Sequence, residues 1–294
     1  MRSVACWLAL IVALAATLAR AQERPDELIR DGLVLTIGYL VVEAEAVRVT
    51  AADGRVLPAA VAAYDHASGF ALLRVLGASA GKPLPFGDST ALAERDPAMV
   101  VSAAAREAPS LVYVVSRRPL SASWEYMLDS AIFTYPPVLE WSGAPLISSK
   151  GELLGIGSLM VPDAAAPGTQ SPGNMFVPVD VLKPILDDLI ARGRRKGPSR
   201  PWLGISADEL RGHLFVLRVS PEWPAERAGV RDGDIVIAVD GEAVTTLAEF
   251  YRKVWGRGEA GVEIPLRLLQ GTQVKDIVVR SVERASYFRP VLTY

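Results

Sequence analysis

Over residues 33–76 the apolar positions come in short valine-, alanine- and leucine-rich runs, broken by turn signals and not spaced at helical intervals. Val47-Arg48-Val49-Thr50 alternates apolar with polar, Asp53-Gly54 turns the chain, and residues 56–63 resume an apolar run. Phe70–Val75 reads as a further strand. With no sustained helical period, this stretch predicts an all-β barrel or sandwich. A second strand-rich block covers residues 98–179, with strands expected at 100–101, 111–115, 132–135, 145–147 and 153–156. Residues 161–173 are small, proline-rich and nearly uncharged, and predict an exposed loop. A helix is expected over 180–190, with Asp180 as its cap, Pro184 in its first turn and Gly193 ending it.

A third unit begins at Arg200. Strands are expected at Leu203-Gly204-Ile205, 215–219, 235–239, 262–269 and 274–279, with a one-turn helix over 224–228 closed by Gly229. Thr246 followed by Glu249 is a capping box for a helix over 247–255, in which Leu247, Phe250 and Val254 share the packing face.

Composition changes this picture at the chain's start. Arg2, an apolar stretch over 7–18 and Ala19-Arg20-Ala21 read as a secretory signal peptide over 1–21, too short to be a membrane anchor. Cys6 is the single cysteine and would leave with that signal, so disulfides, thiolate metal sites and a thiol nucleophile are not expected in the exported chain. No metal and no cofactor is expected. The 31 Lys and Arg residues balance 33 Asp and Glu, which argues against a nucleic-acid or anionic-lipid partner. The basic run over 192–200 carries glycines and a proline and reads as a linker.

Several motifs carry a resemblance when taken in order. They are Asp31-Gly32-Leu33-Val34-Leu35-Thr36, Leu84-Pro85-Phe86-Gly87-Asp88-Ser89, Ser142-Gly143-Ala144-Pro145-Leu146, Gly151 to Ile156, and Phe176-Val177-Pro178. Trp202-Leu203-Gly204-Ile205, Ser220-Pro221, Ala228-Gly229-Val230 and Gly233-Asp234-Ile235-Val236 continue it. Over roughly residues 31–283 the chain resembles the HtrA/Deg-type family of periplasmic trypsin-like proteases. The fold this implies is mainly β: a trypsin-like double β-barrel, truncated at the start of its first barrel, followed by a PDZ domain. The implied division is a trypsin-like domain over 22–192 (barrels at about 22–90 and 91–192), a linker over 193–199, a PDZ domain over 200–283 and a tail over 284–294.

The same resemblance carries a nucleophile onto Ser142, but the family's histidine falls at Tyr39 and its aspartate at Gly69. A phenol has a reference pKa of about 10 and is a poor general base near neutrality, and glycine has no carboxylate to orient one. Glu140 stands where the family usually has an oxyanion-loop glycine, and a carboxylate there opposes developing negative charge. His66 reads as an exposed turn residue and His213 as a loop residue, so neither replaces the missing base. Asp65, Asp88 and Asp129 fall near the expected barrel interface without an imidazole to orient. Tyr135-Pro136-Pro137 and Trp141 suggest a stiff, filled cleft.

These readings imply a catalytically degenerate protein of the periplasm that binds C-terminal or extended peptides of envelope proteins. Backbone N–H groups near Leu203, Gly204 and Ile205 would take the terminal carboxylate, and Leu203, Ile205, Leu247 and Phe250 or their neighbours would line the apolar pocket, with plain domain core as the reading for at least half of those four. The apolar C-terminus Val291-Leu292-Thr293-Tyr294 is a candidate occupant of that groove. The alternative is an active serine endopeptidase in which Ser142 uses a non-standard base. A homo-oligomer is left open.

Overall fold

The computed structural model describes residues 28–30, 32–51, 53–77, 82–102 and 109–288. The expected signal segment, its Cys6 and the tail Val291-Leu292-Thr293-Tyr294 lie outside these residues.

Period-two patterning builds the first unit. Strands β1 (Leu28–Arg30), β2 (Leu33–Ile37), β3 (Val47–Thr50), β4 (Val56–Tyr64) and β5 (Phe70–Val75) pair antiparallel in the order β1-β2-β5-β4-β3. Leu33, Leu35 and Ile37 of β2 turn one way into the main core with Phe70 and Leu72, while Val34 turns the other way onto Val49, Ala71 and Leu73. Among the described residues this sheet does not close into the barrel expected over about 22–90.

The second unit does close. Strands β6 (Pro97–Val100), β7 (Ser110–Ala122), β8 (Tyr126–Tyr135), β9 (Pro145–Ile147), β10 (Leu153–Val161) and β11 (Gly173–Pro178) form a barrel in the ring order β10-β11-β8-β7-β6-β9. Leu35 and Phe70 of the first sheet share one core with Phe133 and Met175 of the barrel, so the two units form one body. The β7–β8 hairpin is much longer than its apolar segments predict. It continues to Ala122 and Tyr126, where its tip packs on the third unit.

The helix expected over 180–190 is split into a 3-10 turn, Val179–Val181, and α1 (Leu186–Arg192). Pro184 has no N–H to continue the turn, so the α-helix begins beyond it. Asp180 does not cap that helix: its carboxylate accepts from the Ser89 amide at 2.6 Å and from Lys183 Nζ at 2.5 Å. Gly193 ends α1 at φ +71°, as its position predicts.

In the third unit β12 (Pro201–Trp202) precedes a sheet of β13 (Ile205–Leu210), β14 (His213–Val219), β15 (Ile235–Val239), β17 (Glu263–Gln270) and β18 (Gln273–Arg280). β16 (Glu242–Ala243) pairs with β15, and β19 (Val282–Glu283) pairs with β12. Helix α2 (Pro224–Ala228) ends at Gly229, and α3 (Leu247–Gly256) opens with both halves of the Thr246–Glu249 capping box. Leu203 and Gly204 form a loop between β12 and β13 in place of the expected strand, with Gly204 at φ +80°. β13 is the edge strand of its sheet.

Candidate functional site

The turn after β2 and the loop before β9 meet at Tyr39 and Ser142. The phenol oxygen lies 3.0 Å from Ser142 Oγ and donates to the Ser158 carbonyl at 2.5 Å. Its single proton is committed to Ser158, so in the contact with Ser142 it is the serine that donates. That is the polarity of a serine facing its base, but activation also requires a neighbour basic enough to keep the proton as the oxygen attacks. Tyr39 offers the nucleophile a lone pair, but the oxygen of a phenol that keeps its own proton is far too weakly basic to take a second one.

Behind this pair, the Gly38 amide donates to the Gly69 carbonyl at 2.7 Å, which brings the two carried-over positions side by side. Gly69 adopts φ +82°, and a Cβ built on it stands 3.0 Å from the Tyr126 hydroxyl. Tyr126, from β8, is buried and donates to the Ser68 carbonyl at 2.7 Å. Its ring fills the space beside Gly69. Burial raises its pKa above the ordinary phenol range, so it stays protonated. Asp65 offers no substitute carboxylate. It takes a two-pronged ion pair from Arg195 (2.6 and 2.5 Å) together with the Ser68 amide and hydroxyl. Burial pushes the Asp65 carboxyl up, but the hydrogen bonds from Arg195 and Ser68 outweigh it and hold it below the usual range. Asp88 caps the 3-10 turn Ser89–Ala91, and Asp129 pairs with Arg252 of α3 at 3.5 Å.

The serine loop lies against β10. Gly143 donates to the Gly157 carbonyl at 2.7 Å, and Gly157 donates back to Ala144 at 2.8 Å. A Cβ at Gly157 would stand 1.9 Å from the Trp141 carbonyl oxygen, so this close approach requires glycine. Glu140 is exposed, and its carboxylate accepts from the Ser102 hydroxyl. The preceding loop is pinned by Asn174, which bonds both the amide and the carbonyl of Val138. Tyr135 and Leu139 remain exposed, while Pro137 and Trp141 are half-buried.

The two histidines lie elsewhere. His213 opens β14, exposed, with its ring 6.5 Å from that of Phe215. His66 is not an exposed turn residue: it is packed between Tyr64 and Phe288, with ring centroids at 4.1 and 5.1 Å. Burial, aided by the charge of Arg284 and opposed by Asp65, lowers its pKa to about 4.

The loop at Leu203, Gly204 and Ile205 presents three backbone N–H groups to one carboxylate, and that carboxylate belongs to the protein itself. Glu125, in the β7–β8 turn, accepts from Gly204 at 2.8 Å and Ile205 at 3.0 Å through Oε1, and from Leu203 at 3.1 Å through Oε2. Glu125 is buried. Burial pushes its carboxyl up to about 7, while the amides of Ile205, Leu203 and Gly204 and the charge of Arg284 pull it down. Leu247 and Phe250 are buried in the core of the third unit, where Met127 from β8 joins them.

Comparison with known proteins gives this geometry its family context. A trypsin-like peptidase domain model matches residues 28–156, and a PDZ domain model matches residues 201–280. The chain joins a trypsin-like peptidase domain to a PDZ domain. Both matches fall in the order expected from the resemblance to HtrA/Deg-type proteins. The putative serine protease HhoA of Synechocystis sp. is 27% identical over 277 residues, covering 86% of this chain and 68% of that protein. The periplasmic pH-dependent serine endoprotease DegQ of Escherichia coli is 27% identical over 266 residues, covering 84% of this chain and 56% of that one. The chain thus spans two thirds of the first relative and little over half of the second. In fold it is similar to the HtrA-type protease AlgW with decapeptide, at TM-score 0.57 and 19% identity over 90% of this chain and 82% of that one. It is likewise similar to the serine endoprotease from Yersinia pestis, at TM-score 0.54 and 22% identity over 87% of each chain.

Sequence reading of the trypsin-like and PDZ domains passed over Glu125, Tyr126 and Met127. One signal was present. The turn Ser123-Trp124-Glu125 lacks the glycine or asparagine that a three-residue hairpin loop usually places at its left-handed position, and Glu125 adopts φ +56° there. An ordinary residue held in that region points to an interaction that keeps it there.

His66 makes the stability of the trypsin-like domain pH-dependent. Unfolded, its imidazole titrates near 6.5; folded, near 4. The unfolded chain therefore binds more protons between these values, and the contribution of His66 is full above pH 6.5 and lost as pH falls through 4. Up to about 3 kcal/mol is at stake. Glu125 titrates with the opposite sign, its contribution full below 4.5 and fading as pH rises through 7. The check is therefore a difference: denaturant unfolding of wild type and His66→Phe across this range, with the variant expected to lose less stability in acid.

Proposed function

We propose that this chain is a trypsin-like protein without peptidase chemistry, serving the bacterial periplasm as a binding, scaffold or regulatory module. Its recognition chemistry belongs to the PDZ domain and is directed at C-terminal or extended peptides of envelope proteins. The observation that carries the first part is the Tyr39 phenol 3.0 Å from Ser142 Oγ, with its proton donated to Ser158. Tyr126 beside Gly69 and the commitment of Asp65 to Arg195 support the same reading. For the second part, the support is a loop whose three amides converge on a carboxylate.

Periplasmic residence agrees with the signal-like start of the sequence and with relatives described as periplasmic. Among the described residues no helix is long and apolar enough to cross a membrane. An active endopeptidase is the competing reading, because relatives are described as serine proteases. Turnover of an unfolded protein substrate decides between them. Wild type and Ser142→Ala should give the same background rate; a wild-type rate that Ser142→Ala abolishes establishes the peptidase.

A further inference from the structure

We propose that the β7–β8 hairpin tip is an internal ligand of the PDZ domain, with the Glu125 carboxylate holding the site that a peptide's terminal carboxylate would otherwise take. This rests on reading that domain as a peptide-recognition module. Recognition of a C-terminal peptide needs three kinds of contact: amides on the carboxylate, a backbone bond along an edge strand, and an apolar group in the adjoining pocket. The hairpin supplies all three. Glu125 takes the Leu203, Gly204 and Ile205 amides. The Ser123 carbonyl accepts from Ala207 at 3.0 Å on β13, the free edge of the sheet. Met127 is buried with Ile205, Leu247 and Phe250.

Further bonds fix the tip in place. Tyr251 of α3 donates to the Ala122 carbonyl at 2.6 Å and accepts from the Glu125 amide at 3.1 Å. Arg284 Nη1 donates to the Glu125 carbonyl at 3.3 Å. The same three amides cannot serve Glu125 and a peptide terminus together, so the two exclude each other. Because the hairpin is on the same chain, it competes at an effective concentration on the order of millimolar or above, which a weakly binding free peptide does not overcome. A free C-terminus therefore binds by displacing the tip.

The test uses the full chain, with a short acetylated peptide ending in leucine, as free acid and as amide. Amide hydrogen exchange at residues 203–207 and isothermal titration are measured for wild type, Glu125→Ala and Glu125→Gln. The proposal expects slow exchange in wild type and faster exchange in Glu125→Ala. It also expects at least about tenfold tighter binding of the free acid by Glu125→Ala, with little gain for the amide. Glu125→Gln, which keeps the shape of the side chain, should move both readings in the same direction by less. Equal free-acid affinity in wild type and both variants, with unchanged exchange, overturns the internal ligand and leaves peptide recognition standing. Faster exchange in the variants with no free-acid binding supports the hairpin as occupant and overturns peptide recognition.

Discussion

A Tyr39→His, Gly69→Asp double variant is expected to gain no measurable turnover of an unfolded substrate and to lose roughly 2–4 kcal/mol of stability. Replacing the two residues that differ from the family pattern does not recreate its geometry. Gly69 sits at φ +82°, where a side chain is strained, and its Cβ would meet the Tyr126 hydroxyl at 3.0 Å. The new carboxylate would have to displace a buried ring that is hydrogen-bonded to Ser68. Adding Tyr126→Phe removes the nearest atom and should recover part of the stability. Thermal or denaturant unfolding together with a peptidase assay reads both effects. Strong activity from the double variant alone would show that the cleft is intact behind two point changes, and that the weight placed on Tyr126 is misplaced.

The second large effect is expected at Asp65. Its carboxylate is 5% exposed and receives both prongs of Arg195, which lies in the basic run before the PDZ domain. Arg195→Ala should cost about 3–5 kcal/mol, because it leaves the buried Asp65 charge without its main partner. Asp65→Ala should cost less, since the stranded Arg195 is one-third exposed and can turn to water. The double variant should lose much less than the sum of the two, since it strands neither charge. Denaturant midpoints of the four proteins close the cycle; additive losses would mean that the pair is not the source of the effect.

Much of this architecture was legible because local chemistry and tertiary structure agree. The glycine turns, the Thr246–Glu249 box and the shared face of Leu247, Phe250 and Val254 act over a few residues, and the PDZ elements appear where those signals fall. The family resemblance places its histidine position at Tyr39, and the structure puts that phenol 3.0 Å from Ser142 Oγ. Errors arose where distant contacts decide. Asp180 reads as a helix cap, yet it is taken up by Ser89, 91 residues away. His66 reads as a polar turn residue, yet Phe288, far along the chain, buries it. Glu125 was missed for the same reason: a charged residue in a hairpin turn looks solvated, and its partners lie 78 to 80 residues away. No period or spacing encodes that encounter.

The central claim, that Ser142 has a neighbour but no base, is tested most directly by covalent titration of the intact protein with a fluorophosphonate, followed by mass spectrometry. Such a probe reports activation of the serine itself, independent of any choice of substrate. The account predicts that Ser142 is modified no faster than an ordinary surface serine, and that Ser142→Ala leaves the labelling unchanged. Rapid, stoichiometric labelling abolished by Ser142→Ala would contradict it.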